Sequence, residues 1–370
     1  LRPDRRVSHT GGRAQGRAGS LASLAIRSSL SVLLVLSGVW GALALWFRAP
    51  LGGILAMGFA TLGLVAIVSL WRVSLWRTRP AAPLRWIALA LWAGLFGALA
   101  LWWGSITPRH DRLWATALSR VPVATLDGDR LVIRHVRNFV WRPATASLPD
   151  QEAGSGEEIA EERWETRSVD LASVSGVDLF FSYWTGPLIA HVLVSITFDD
   201  APPLTFSVEI RRERGETYSA LAGFFKSYEL AIVVADERDI VRLRTDIWRE
   251  DVRLYRLDVS REKAVALLLA YARKINQLSA TPRWYGTLSD NCTTVAYGLA
   301  RELWPALGPD WRILLPGRAP EYAHELGALG TGVPFEVLQQ RAAISETARM
   351  APAGADFSAW IRRDVPAPPR

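Results

Sequence analysis

AHVLVSITFDDAPPLTFSVEIR, residues 190–211, is the stretch that decides the fold of this chain. Val192, Val194, Ile196 and Phe198 alternate with His191, Leu193, Ser195 and Thr197, and side chains along a strand point to opposite faces in turn. Asp199-Asp200-Ala201-Pro202-Pro203 breaks the run. Leu204–Ile210 then resumes it, with Phe206, Val208 and Ile210 on one face and Thr205, Ser207 and Glu209 on the other. Two β-runs around such a turn predict an antiparallel hairpin. Tight pairing brings Glu209 or Arg211 beside His191, with Ser207 further along the same face. Glu209 or Ser207 then stands where the orienting member of a nucleophile–base–orienter set would stand. From spacing alone, a lone strand histidine is more often a satisfied structural residue.

Working outward, residues 108–345 have the texture of an α+β domain. Arg130–His135, Glu229–Asp236 and Val252–Leu257 read as strands, and Glu262–Leu278 as an amphipathic helix. Thr217–Tyr228 has apolar residues at helical spacing. Residues 147–163, rich in Gly, Ser and Glu, predict an exposed loop. Residues 346–370 are rich in Pro and Ala and predict a loose tail.

The chain's one cysteine lies in Trp284-Tyr285-Gly286-Thr287-Leu288-Ser289-Asp290-Asn291-Cys292-Thr293-Thr294. A single cysteine excludes an intrachain disulfide, a cysteine-based zinc cluster and a CxxC redox site. After it, Val295, Leu299 and Leu303 recur every four residues, so a helix begins near Cys292, with Ser289, Asp290 or Asn291 as its N-cap. A helix N-terminus stabilises a thiolate. The bland alternative is a small buried filler, a common fate of free cysteines. A thiol nucleophile needs a base, and among five histidines His191 is the most informative. Backbone N–H groups at the helix start, with the side chain of Tyr285 or Asn291, would serve an oxyanion. No GxSxG, P-loop, GxGxxG or metal-type histidine pair occurs, and neither a metal nor a cofactor is expected.

The N-terminal third is different. Leu30–Phe47, Leu51–Trp71 and Trp86–Trp103 carry no charged side chain, and about 20 apolar residues cross a bilayer as a helix. The sequence therefore predicts three transmembrane helices: residues 1–28 are a disordered cytoplasmic start and 29–107 a three-helix anchor. A cleaved signal peptide is the rival for the first span, and the two later spans count against it. Net charge is +7, yet residues 1–107 hold eleven arginines against one aspartate, leaving the remainder about −3. The arginines flank the spans, and the positive-inside rule then puts everything after about Ser105 outside the cytoplasm. The partner implied is the lipid bilayer, and nucleic acid is not proposed.

Several segments together resemble the periplasmic domain of the Lnb family of bacterial membrane proteins. They are Val132–Phe139, Val177–Phe180 with Trp184, Ala190–Ser195, Ser207–Glu213, Tyr218 with Gly223–Phe225, Tyr285 with Asn291–Thr294, and Leu315–Gly317. The likeness runs over about residues 125–340. It implies a permuted papain-like (NlpC-like) thiol-enzyme fold at residues 108–345, at the bacterial inner membrane with the C-terminal domain in the periplasm. It also implies a lipoprotein acyltransferase with Cys292 as nucleophile and His191 as base, forming a thioester with lipoproteins or acyl lipids as partners. A cell-wall amidase or peptidase of the same dyad and a non-catalytic envelope scaffold are the alternatives.

Overall fold

The structure, a computed structural model, describes residues 11–75, 82–144, 157–330 and 332–368. The chain divides into two units, Leu1–Thr107 and Pro108–Arg370.

The first unit is helical: α1 (Gly11–Arg48), α2 (Gly52–Leu75) and α3 (Ala82–Ser105). Trp92 of α3 is buried against Phe59 of α2, with ring centroids 4.7 Å apart, and donates its indole N–H to Ser37 Oγ of α1 at 3.2 Å. Gly41 makes room for this packing, because a Cβ there would lie 2.3 Å from the Phe59 ring. Trp40 meets Phe96 and Trp103 edge-on. Trp40 and Trp92, whose place inside the spans fits no interfacial role, are thus packing residues. The outward side chains, Leu33, Leu36, Leu91 and Leu101 among them, are exposed and apolar.

Two corrections follow. Leu24–Arg48 and Trp86–Ser105 are long and apolar enough to cross a membrane, whereas the apolar stretch of α2 among the described residues, Gly52–Val68, is shorter. Three spans are expected from the sequence, and among the described residues two helices have that length and character. In addition, α1 starts at Gly11, so residues 11–28 are helical where disorder is expected; residues 1–10 lie outside the described residues.

The second unit is built on strands β1 (Val123–Asp127), β2 (Arg130–Arg137), β3 (Val140–Pro143), β4 (Glu157–Glu161), β5 (Trp164–Asp170), β6 (Val174–Tyr183), β7 (Ala190–Phe198), β8 (Leu204–Arg211), β9 (Glu229–Asp236) and β10 (Asp251–Arg256). The main sheet runs β1-β2-β9-β8-β7-β6-β10, with β5 also paired to β2. All its ladders are antiparallel except the single β2–β9 bridge, Arg137↔Ala235. β3 and β4 form a separate hairpin. Residues 157–161, expected in an exposed loop, are therefore a strand, and 147–156 lie outside the described residues.

The helices are α4 (Glu237–Arg242), α5 (Arg261–Ala280), α6 (Cys292–Leu303), α7 (Ala319–Glu325), α8 (Phe335–Arg341), α9 (Ser345–Arg349) and α10 (Phe357–Arg362). α5 and α6 cover one face of the sheet. Leu267, Leu268, Tyr271 and Ile275 of α5 join Val194, Ile196 and Phe206 in one core, each large apolar side chain contributing about 1.5–3 kcal/mol on burial. The other face is covered by α4, α9 and α10, where Leu193, Ile240, Phe357, Ile361 and Val365 form a second core.

β7 is therefore buried on both faces, and the C-terminal segment is no loose tail. Its composition hides three apolar anchors and Arg362, which pairs with Asp178 at 2.7 Å and with Glu237. Thr217–Tyr228, expected as a helix, holds only the short 3-10 turn Ala222–Phe224. Leu221 and Phe224 are exposed there, so no continuous apolar face exists for a helix to bury.

Candidate active site

Ladder pairing between β7 and β8 ends at Leu193↔Ser207, although β7 starts at Ala190 and β8 runs to Arg211. The strands part at this end of the sheet, and α6 packs against both. The sequence explains the helix start. Asn291 is the N-cap: its Oδ1 accepts from the N–H groups of Thr293 and Thr294, both at 2.9 Å, and Thr294 Oγ1 accepts from the Asn291 N–H at 2.9 Å. This reciprocal box fixes the first turn and puts Cys292 at its first residue.

Cys292 and His191 are each only 8% exposed, and their side chains lie close enough for each to act directly on the other's charge. The Val192 backbone also favours the charged form of the sulfur, where the β7–β8 ladder has stopped. On the far side of the ring, His191 Nε2 lies 2.7 Å from Ser207 Oγ and 3.3 Å from Glu209 Oε1. Ser207 donates to Glu209 Oε1 at 2.6 Å. A hydroxyl whose proton goes to the carboxylate must accept from Nε2, so the neutral ring carries its proton on Nε2 and leaves Nδ1 for the thiol. Glu209 is held by Arg244 at 3.0 Å, and Arg244 reaches Glu250 at 3.4 Å. Glu250 accepts from Ser182.

The electrostatics of this chain follow from burial set against charge. Burial pushes the Cys292 thiol up, but the adjacent His191 charge outweighs it and holds the thiol below its usual value. Burial and the Arg244 charge push the imidazole down, and the Glu209 carboxylate and the Cys292 sulfur overcome both, lifting His191 to about 9. Burial also raises Glu209, yet His191, Arg244 and Ser207 together keep it far below the usual carboxylate range. The arrangement shifts both groups toward a thiolate–imidazolium pair, with a carboxylate behind the ring.

Among the residues expected at this site, the structure brings together Cys292, His191, Ser207 and Glu209. Ser207 is nearest to the imidazole, where spacing put it further along the face. Arg211 lies elsewhere, donating to the carbonyls of Leu118 and Ser119 with its guanidinium over Trp114. Asn291 spends both ends of its side chain on structure, since Nδ2 donates to the Thr287 carbonyl at 2.7 Å. Burial, with the nearby negative charge of Cys292, pushes the Tyr285 phenol well above its usual value. Sequence reasoning misses Arg244, which sits on a π-helical turn, Leu243–Ile247. Such turns cluster at functional sites, but the residue pattern carries no sign of this one. Among the described residues no cluster of three or more metal-type ligands occurs.

Beside the dyad opens an apolar cavity of about 390 Å3. Val192 and Thr293, the neighbours in sequence of His191 and Cys292, both line it, and Thr293 Oγ1 lies 3.8 Å from the sulfur. From there it follows α6 past Ala296, Tyr297 and Ala300 to Trp304 and Leu307, roughly 16 Å at 1.5 Å per helical residue. The turn at its far end is pinned by two phenols: Tyr297 and Tyr322 donate to the Gly308 carbonyl at 2.7 and 2.9 Å.

Residues 160–317 match the Lnb N-terminal periplasmic domain. The Lnb match runs from β4 to the 3-10 turn Pro316–Arg318 and holds every member of the Cys292 network. It is narrower than the likeness read from the motifs, and Val132–Phe139 falls outside it. Gly317, at its end, has a visible reason to be glycine: a Cβ there would lie 2.3 Å from the Pro187 carbonyl oxygen, in the loop leading to His191. No curated protein and no solved structure gives a significant match. With two apolar N-terminal helices, the Lnb match describes a membrane-associated protein with a periplasmic domain.

Proposed function

We propose that this protein is a membrane-anchored thiol acyltransferase or lipid-ester hydrolase acting on lipoprotein-like substrates. The observation that carries the reading is the apolar cavity beginning beside Cys292. Its size lies in the range of small-molecule sites, and its walls are those an acyl chain needs. A large polar cleft also exists, but Thr197 and Phe198 at the opposite end of β7 line it, roughly 20 Å along the strand from His191. A peptidoglycan-cleaving site would need that polarity at the cysteine.

In this mechanism His191 holds the Cys292 proton on Nδ1, and the thiolate attacks the ester carbonyl. The Cys292 N–H and the Tyr285 phenol are the donors assigned to the oxyanion, since the cap takes the N–H groups of Thr293 and Thr294. The C–O bond breaks as imidazolium returns the proton to the leaving alkoxide, giving a thioester. An amine or water then attacks and gives its proton to His191, and the C–S bond breaks to release the acylated product and the thiolate. A permuted papain-like fold belongs to this proposal: a strand histidine precedes, in chain order, a cysteine that opens a helix. The periplasmic side rests on the family match, since the positive-inside reading depended on three spans.

Tandem mass spectrometry of envelope lipopeptides from cells carrying the wild type or Cys292→Ala tests the reading. It distinguishes amide-linked from ester-linked acyl chains and detects a missing one. A Cys292-dependent change of linkage or chain number supports the proposal. Identical lipopeptides with altered muropeptides point instead to an amidase, and no change in either leaves a scaffold; both outcomes overturn it.

A further inference from the structure

Half of the exposed large hydrophobic side chains in the second unit, among the described residues, cluster at one end of the sheet. β6 ends and β7 begins there, and the connecting loop exposes Trp184 and Leu188. β8 ends and β9 begins there, and their connection exposes Tyr218, Leu221 and Phe224. The loop before Cys292 joins this end through the Glu229↔Trp284 bridge and exposes Leu288 at 61%. Leu314, 58% exposed, lies three residues before Gly317, whose N–H donates to the Leu188 carbonyl at 3.0 Å. Thr287 is likewise tied to the Ala220 carbonyl, so the loops form one rim at the end of the sheet where β7 begins with His191 and α6 with Cys292.

We propose that this rim is a docking surface for a lipid bilayer. Contiguous exposed apolar patches on a folded domain mark interaction sites, and Trp and Tyr suit an interface that is apolar on one side and wet on the other. The occupant follows from the chain itself. The protein carries helices apolar enough to enter a bilayer, and its polypeptide enters the second unit at Pro108, which lines a hollow together with Phe224 and Leu288. Docking there would present the cavity to acyl chains without extracting a lipid fully into water. The inference rests on the membrane-anchored reading above but not on the chemistry of Cys292.

The experiment uses the full chain in nanodiscs of phosphatidylethanolamine and phosphatidylglycerol, in the Cys292→Ala background. Leu188→Cys, Leu288→Cys and Leu314→Cys each carry one fluorescent label, and Asp200→Cys, in the exposed hairpin turn at the opposite end of the sheet, is the control. Doxyl-labelled lipids are expected to quench the three rim labels several-fold more than the control. Equal quenching at all four, or none at the rim, overturns the proposal, as does rim protection from aqueous iodide without lipid quenching, which indicates a second protein copy. Because the cysteine is absent throughout, a negative result leaves the acyl-transfer reading untouched, and a positive one stands even if that reading fails.

Discussion

Cys292 is held between opposed influences: burial favours its thiol, and the imidazolium at its side favours the thiolate. The charge wins, so near neutral pH iodoacetamide should label Cys292 faster than a free thiol. In His191→Ala the rate should drop and climb about tenfold per pH unit toward the ordinary thiol range near 8.5. The sign at the alkaline end follows from His191. With its pKa raised to about 9, the imidazolium persists below that value and is lost above it, taking the counter-charge of the thiolate with it.

Arg244 lowers the His191 pKa by its charge while holding Glu209. Arg244→Met should therefore move the alkaline limb upward, a shift that mere loss of packing does not produce. Cys292 and His191 were legible in the sequence because a lone cysteine at a helix start and an alternating hairpin are local signals. The order of Ser207 and Glu209 was less legible, because spacing fixes a face and not the reach of a side chain. Arg244 arrives from a segment 35 residues beyond Glu209 and belongs to no local pattern.

At the scale of elements, α6 depends on its cap. Asn291→Ala should cost about 1 kcal/mol and slow Cys292 labelling, because the helix start also places the sulfur. Asn291→Ser, which keeps an acceptor oxygen, should restore most of both, as thermal unfolding and labelling rate would register. Most strands and α5 were readable from period and turn chemistry, since each buries a face of regular spacing. Thr217–Tyr228 shows where that logic stops. Its apolar residues recur as in a helix, but Leu221 and Phe224 are exposed while Phe225 and Tyr228 are buried, and only the tertiary surroundings reveal that split.

Over the whole molecule, the C-terminal segment closes the second face of the sheet. Arg362 reaches the buried carboxylates of Asp178 and Glu237, and Glu237 also accepts from Ser195 of β7 at 2.5 Å. Removing one partner from a buried ionic cluster costs about 3–5 kcal/mol. Arg362→Ala should therefore lower the unfolding midpoint in urea sharply, whereas Arg363→Ala, on the exposed side of the turn, should barely move it. Composition hid this role, because Pro and Ala dominate the segment and only a few of its residues, Phe357, Ile361 and Val365 foremost, are large apolar side chains that join the second core. The membrane unit was legible as apolar helices, and its count of spans was not, since α2 has the character of a span but too short a described run.

The Gly308 carbonyl, gripped by two phenols, has a further meaning. The near end of the cavity is set by the sheet and by α6, and its far end by a turn outside both. Such a pocket is a ruler whose zero is fixed in the core and whose stop is movable. Under the proposed function, lengthening or shortening the 304–310 turn would change which acyl chain fits while leaving Cys292 and His191 where they are. Chain-length preference would then be tunable separately from the thiol and the imidazole.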